Sequence, residues 1–275
     1  TTSYLTEPKL DKHIVSDSTR QRPTVVKIGG STLGSGDTTL EDVVSMQQQG
    51  YAPVVVHGGG KVITQWMERS GTTPNFLRGM RVTDQPTLDI VVAVLTGLVN
   101  KQIVATTLAL GGKAIGLSGV DGGILQASIL DPDLGYVGNI DVVDPAPVEL
   151  MLSMGWIPIV APVATGCIGS EGGVDALFNI NGDVAAGELA IALGAERLIY
   201  LTDVEGVMDA SRRTIPRLLA KQAQELIGSG IVAGGMIPKL EACLNALPKV
   251  GSTQILDGRR PHALMECLDG AGNGT

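Results

Sequence analysis

Val25-Val26-Lys27-Ile28-Gly29-Gly30-Ser31 is a short β-branched run that carries a lysine near its end and breaks into two glycines. Val and Ile with a lone charge suit a buried strand of a parallel sheet, and ligands meet such sheets at strand ends. Lys27 then points into a crevice. Gly29 and Gly30 lack Cβ atoms, so their N–H groups can approach an anion closely. Lysine beside bare backbone N–H groups fits phosphate, and an ordinary strand-to-loop turn would read the same way. A second copy of the device follows: Val54-Val55-Val56-His57-Gly58-Gly59-Gly60, with a helix expected from Lys61. N–H groups at a helix start form an anion site. Gly60-Lys61 is followed by Val62, so no Walker A motif is present, and no GxGxxG opens a helix after a strand.

Outward from these two stretches the pattern alternates. Strands are expected at 25–28, 53–57 and 113–117, with helices at 39–49, 61–70 and 86–110. Leu88, Val91, Leu95, Leu98 and Val99 recur at helical spacing in the long helix, as a core or subunit-interface stripe would. Short strands with Gly or Pro turns fill 124–168, as in a lid over a site or a plain sheet edge. Alternation then resumes with helix 184–193, strand 197–202, helices 218–228 and 237–247, strand 253–256 and helix 261–268. This is βαβ logic, and it predicts an α/β fold with a mostly parallel central sheet. Residues 1–22 read as an N-terminal arm. Residues 23–275 read as one domain with two lobes, about 23–178 and about 179–275.

Composition narrows the function. The 275 residues include 37 glycines without a three-residue period, and aromatics make up only 3%, so aliphatic residues must build the core. A net charge of −8 argues against nucleic acid or an anionic membrane as main partner. Cys167, Cys243 and Cys267 are widely spaced and odd in number, which indicates neither a disulfide framework nor a zinc site, and no metal site is expected. No run of about 18 apolar residues and no signal-peptide pattern is evident, so a cytoplasmic protein is expected.

Four segments can carry chemistry. His57 closes a strand, as a general base or as a hydrogen-bonded structural residue. Arg81, in Gly79-Met80-Arg81-Val82-Thr83-Asp84, offers a planar fork for a carboxylate, or it pairs with an acid such as Asp84. In Phe178-Asn179-Ile180-Asn181-Gly182-Asp183, Asn179, Asn181 and Asp183 share a face if extended, and Asp183 would also cap the helix beginning at Val184. Gly234-Gly235-Met236-Ile237-Pro238-Lys239 sets a lysine just inside a helix start, where a cation is unfavourable unless an anion is present.

These segments, with LVNK at 98–101, GLSGVDGG at 116–123, YVGNI at 136–140 and LTDVEGV at 201–207, follow a familiar order and spacing. From about Val25 to Thr275 the chain resembles the N-acetylglutamate kinases of the amino acid kinase family. The resemblance implies an open αβα sandwich whose N-terminal lobe holds N-acetyl-L-glutamate and whose C-terminal lobe holds ATP with Mg²⁺. By motif match, Lys27 and Lys239 would stabilise the transferring phosphoryl group, with Asp183 orienting them. Gly58, Gly59, Arg81, Asn179 and Asn181 would hold the substrate. Gly29, Gly30, Asp203, Val204, Glu205, Gly206, Val207, Met208, Ile231, Val232 and Ala233 would line the nucleotide site. Gly182 stands where the family usually has alanine, and Lys61 where proline is common.

Arginine-inhibited hexamers of this family carry an N-terminal helix and a C-terminal His, Glu and Gly-x-Gly-Thr pattern. His262, Glu266, Gly272 and Gly274 resemble that tail and suggest an L-arginine site. The gap from His262 to Glu266 is one residue shorter than usual, which on a helix turns a side chain by about 100°, and residues 1–22 show no clear match to the helix. A homo-oligomer, dimer or hexamer, is implied, and a regulatory protein partner is left open. Competing readings are a sister kinase acting on an aminoadipate derivative, a catalytically silent amino-acid-binding regulator, and an NAD-dependent dehydrogenase, which would need a glycine fingerprint absent here.

Overall fold

A computed structural model describes residues 22–29, 37–168, 173–270 and 274–275. The expected Val25 strand is β1 (Thr24–Ile28), with every residue buried. It pairs in parallel with β2 (Pro53–His57) on one side and β11 (Arg197–Thr202) on the other. With β12 (Ser252–Asp257), β8 (Ile157–Ala161) and β5 (Ala114–Ser118) it builds a six-stranded sheet in the order β12-β11-β1-β2-β8-β5, every pairing parallel. The sheet therefore runs through both halves of the chain.

Side chains alternate across a strand, and the two faces fill different cores. Val26 and Ile28 point to one face, covered by α1 (Thr39–Gln48), α2 (Gly60–Arg69), the long helix and α9 (Ala263–Leu268). Val25 and Lys27 point to the other, covered by α5 (Ala146–Ser153), α6 (Gly182–Ala192), α7 (Ala220–Gly228) and α8 (Met236–Ala246). The expected αβα sandwich follows from this alternation.

The long helix consists of α3 (Gln85–Val92), a π-helical turn (Ala93–Val99) and α4 (Asn100–Ala109). Asp84 caps it, accepting from the Thr87 N–H at 3.0 Å, with Pro86 in the first turn. Leu88, Val91, Leu95 and Val99 are buried as expected, but Leu98 is 43% exposed. The wide i→i+5 turn changes the helical phase there and carries Leu98 off the core side. By length and mean hydropathy (25 residues, 1.6) this helix could span a membrane, yet its apolar side is used in the core, where Val94 and Ile103 join the stripe.

A second sheet, β10-β9-β6-β7, lies over residues 125–179. It contains β6 (Leu125–Ile129), β7 (Gly138–Val143), β9 (Val163–Gly166) and β10 (Leu177–Asn179). Helix α5 interrupts the run of strands expected here. Pro145 and Pro147 read as turn signals, but they sit at the N-cap and in the first turn of α5, where proline needs no N–H partner. A small hairpin, β3 (Phe76–Leu77) with β4 (Met80–Arg81), precedes the long helix.

Candidate active site at the carboxyl end of the parallel sheet

Chain order reverses at β1, because β2 lies on one side and β11 on the other. In sheets of this order the usual ligand position is outside the carboxyl ends of the strands at this reversal. Lys27 ends there, 8% exposed. Its Nζ lies 2.7 Å from Asp183 Oδ1, and Lys239 Nζ lies 3.0 Å from Oδ2. Asp183, 5% exposed, comes from the first turn of α6 and Lys239 from the start of α8. The two helices approach closely because their contact is built from small residues: a Cβ added at Gly187 would sit 3.3 Å from the Ala242 Cβ.

The helix cap differs from the expectation. Asn181, not Asp183, is the N-cap: its Oδ1 accepts from the N–H groups of Asp183 (2.8 Å) and Val184 (3.4 Å). Asp183 is thereby released to face the lysines. The extended alternation that would put Asn179, Asn181 and Asp183 on one face stops at β10. Burial pushes the Asp183 carboxyl up, but the ammonium groups of Lys27 and Lys239 outweigh it and hold the group below its usual range. Two ammonium groups against one carboxylate leave a positive charge in excess, in a largely buried cluster where it acts more strongly on an anion than in bulk water.

Arg81 does not pair with Asp84, which is occupied as a helix cap. Its guanidinium donates to Thr64 Oγ1 (2.9 Å), the Gly60 carbonyl (3.2 Å) and Met67 Sδ (3.0 Å), under the Phe76 ring at 4.8 Å. Among the described residues it has no carboxylate partner. Burial lowers its pKa from the ordinary value, and the group stays charged. Thr83 links it to the next residue of the set: its hydroxyl donates to the Arg81 carbonyl (2.8 Å) and accepts from Asn179 Nδ2 (3.1 Å). Gly58 is less free than its motif suggests, since its N–H donates to the Ile28 carbonyl at 2.9 Å. Gly59 packs so close to the long helix that a Cβ would lie 2.6 Å from Leu95 Cδ2. The N–H groups of Gly59, Gly60 and Lys61 have no intrahelical acceptor at this helix start.

His57 is structural. The two protons of the buried Asn100 amide are shared among His57 Nε2 (3.2 Å), the Ile159 carbonyl (2.8 Å) and the Leu117 carbonyl (3.2 Å). That assigns the ring proton to Nδ1, which donates to the Gly58 carbonyl at 3.0 Å. Burial lowers the His57 pKa from 6.5 to about 4. A buried neutral histidine contributes its full stability above the unfolded pKa and loses it as pH falls. The window here runs from 6.5 down to about 4 and corresponds to about 3 kcal/mol. In His57→Gln this part of the acid slope should vanish when urea midpoints are compared at pH 5 and pH 7.5; an unchanged slope would assign it elsewhere.

The residues expected at a nucleotide divide in two. Asp203, Glu205, Ile231 and Ala233 are exposed, and Val204 and Met208 are partly exposed. Val207 and Val232 belong to the core, and the Val207 N–H is taken by Thr275 Oγ1 at 2.9 Å. Gly206, at φ 149°, is buried beneath the same hydroxyl, where a Cβ would come within 2.8 Å. The side chains of Val207 and Val232 are thus packed inward, and Gly206 gives the loop its close approach to Thr275. Gly29 follows β1 directly, whereas Gly30 lies outside the described residues.

At the C-terminal tail, His262 Nδ1 lies 2.7 Å from the buried Asp42 Oδ1 on α1, and Glu266 Oε2 accepts from Arg260 at 3.1 Å. Gly274 bridges to Leu256 on the sheet edge, and Gly272 lies outside the described residues. The sequence alone assigns no role to Asn100, Thr83 or Tyr200, and Thr275 enters only as the end of the Gly-x-Gly-Thr pattern. Tyr200 carried one signal: a hydroxyl inside the apolar run Arg197–Thr202, where burial demands a partner.

The sequence profile of the amino acid kinase family matches residues 22–256. An acetylglutamate kinase from Dehalococcoides mccartyi is 43% identical over 251 residues, covering 91% of this chain and 92% of its own length. One from Synechocystis sp. is 46% identical over 253 residues, covering 89% and 83%. Among solved structures, an N-acetylglutamate synthase from Neisseria gonorrhoeae superposes with a TM-score of 0.78 at 28% identity, over 93% of this chain and 59% of the other. Carbamate kinase from Giardia lamblia shares the fold, with a TM-score of 0.64 at 16% identity over 92% and 97%. With this fold and these relatives, the chain belongs to the amino acid kinase family.

Proposed function

We propose that the protein transfers the γ-phosphoryl group of ATP to the γ-carboxylate of N-acetyl-L-glutamate, forming N-acetylglutamyl 5-phosphate in arginine biosynthesis. The observation that carries this reading is the Lys27–Asp183–Lys239 cluster at the point where chain order reverses. The names of the relatives supply the acceptor. A carboxylate acceptor is already ionised near neutral pH, so the reaction needs no general base. His57, buried and committed on both ring nitrogens, is not asked to be one. The work is to bring two anions into line and neutralise them, which is most of phosphoryl-transfer catalysis.

Lys27 and Lys239 meet the oxygens of the transferring group, and Asp183 keeps both ammonium groups aimed. Arg81, without an acid partner among the described residues, takes the α-carboxylate of the substrate, beside the helix-start N–H groups of Gly59 and Gly60, with Asn179 bracing Arg81 through Thr83. Asn181 acts through the cap it places on α6. The loop 203–208 and residues 231–233 flank the nucleotide. Mg²⁺ would travel on the phosphates: Asp183 has both oxygens turned to lysines, and no cluster of three potential ligands occurs among the described residues. Inhibition by L-arginine and assembly into a homo-oligomer belong to the same proposal, supported by the tail pattern around His262 and Glu266.

The test is ATP-dependent acyl phosphate formation trapped with hydroxylamine. N-acetylglutamate should give hydroxamate, while glutamate and N-acetylaspartate should not. Product from an aminoadipate derivative alone would move the enzyme to the sister activity, and adding arginine to the same assay tests the regulatory part.

A further inference from the structure

We infer that Tyr200 is a positioning residue for the transfer site: its hydroxyl anchors the first turn of α6, which Gly182 leaves soft, and so holds Asp183 between the two lysines. The inference rests on the functional reading above. Tyr200 is fully buried in β11, and its Oη donates to the Asp183 backbone carbonyl at 2.8 Å. It lies beneath all three parts of the cluster. In the sheet it is the register partner of Lys27. Its hydroxyl also reaches the α6–α8 contact that sets Lys239 against Asp183, since a Cβ added at Gly187 would lie 3.4 Å from Tyr200 Oη. Burial pushes the phenol far above its ordinary pKa, so it remains a donor at any working pH.

The anchor has a reason to exist. Asp183 sits in a helix's first turn, the part that frays, and its neighbour Gly182 is the residue with the most backbone freedom to lose. Nothing in the packing demands a glycine there: a Cβ would meet only ordinary contacts, Lys27 Cε at 3.5 Å and the His57 carbonyl at 3.6 Å. Asn181 restrains this turn from the front by capping, and Tyr200 restrains it from the sheet.

The experiment is a double-mutant cycle of Tyr200→Phe and Gly182→Ala, read by steady-state kinetics and by hydrogen exchange of the Asp183–Gly187 amides. Phenylalanine keeps the ring and its packing. Tyr200→Phe is expected to lower kcat about 5- to 20-fold through misplacement of a catalytic group, with both KM values within about twofold, and to speed exchange in that turn. The same substitution in the Gly182→Ala background should cost at least twofold less, because alanine supplies part of the lost rigidity. Should Tyr200→Phe alone not fold, exchange is compared between Gly182→Ala and the double variant, where the loss must still be visible. Wild-type turnover and exchange with Tyr200→Phe, or an equal loss in both backgrounds, would overturn the inference. If the wild-type enzyme itself gives no acyl phosphate, the functional reading fails, and the exchange data alone decide whether the hydroxyl anchors the turn.

Discussion

Lys27→Ala is expected to reduce kcat for acyl phosphate formation by about 10²- to 10³-fold, the scale for removing one preorganised donor from a transition state. Lys239→Ala should do the same. Each lysine is held on a buried carboxylate, at 2.7 and 3.0 Å, so its direction is fixed before substrate arrives. The charge that the transferring oxygens meet is therefore already in place, and none of the barrier goes into reorienting it. Lys27→Arg should rescue poorly, because a planar fork cannot take the place of a point charge within this tightly enclosed contact. Steady-state hydroxamate assays decide the matter. Turnover near wild type in either alanine variant would remove that lysine from the chemistry.

Asp183→Ala is expected to cost stability as well as turnover, by about 3–5 kcal/mol in urea unfolding, because it strands two ammonium groups that share one carboxylate. The two lysines come from β1 and α8, so their repulsion acts between the sheet and the helix layer. ATP supplies the missing negative charge, and it should raise the unfolding midpoint of this variant more than that of the wild type. The pH dependence has a definite sign. The folded pKa of Asp183 lies below the ordinary 3.8, so its contribution is complete above that value and is lost as pH falls through the folded pKa. The gap between wild type and Asp183→Ala should therefore narrow below pH 3.8. A constant gap would mean that packing, not charge, sets the loss.

The parallel sheet is legible because Val54–Val56 is a continuous β-branched run and Val25–Ile28 is one broken only by Lys27, as buried strands of such a sheet favour. Lys27, Lys239 and Arg81 stand out in the sequence because each lies near glycines, where exposed backbone draws attention to a charge. The start of α6 is misplaced when a strand's two-residue period is extended past Asn179, and two good capping residues, Asn181 and Asp183, then compete for one position. Helix α5 was hidden by prolines that serve equally as turn formers and helix starters. The departure of Leu98 from the core side depends on a π-turn that the local sequence does not announce. Tyr200, Asn100 and Thr275 act through backbone groups distant in sequence, and a single chain carries no record of such pairings until it is folded.

The central place of β1 sets the order in which this enzyme can be made. Thr24 pairs with Arg197 and Ile28 with Leu201, so one edge of β1 stays open while most of the polypeptide is synthesised. That pairing closes a loop of long sequence separation at a cost in chain entropy, and until β11 is present the Val25, Val26 and Ile28 edge has unpaired backbone groups. Lys27 is thus among the earliest site residues to leave the ribosome and, with Asp183 and Lys239 still to come, among the last to find its partners. A half-made chain therefore lacks both partners of Lys27 in the cluster, Asp183 directly and Lys239 through it.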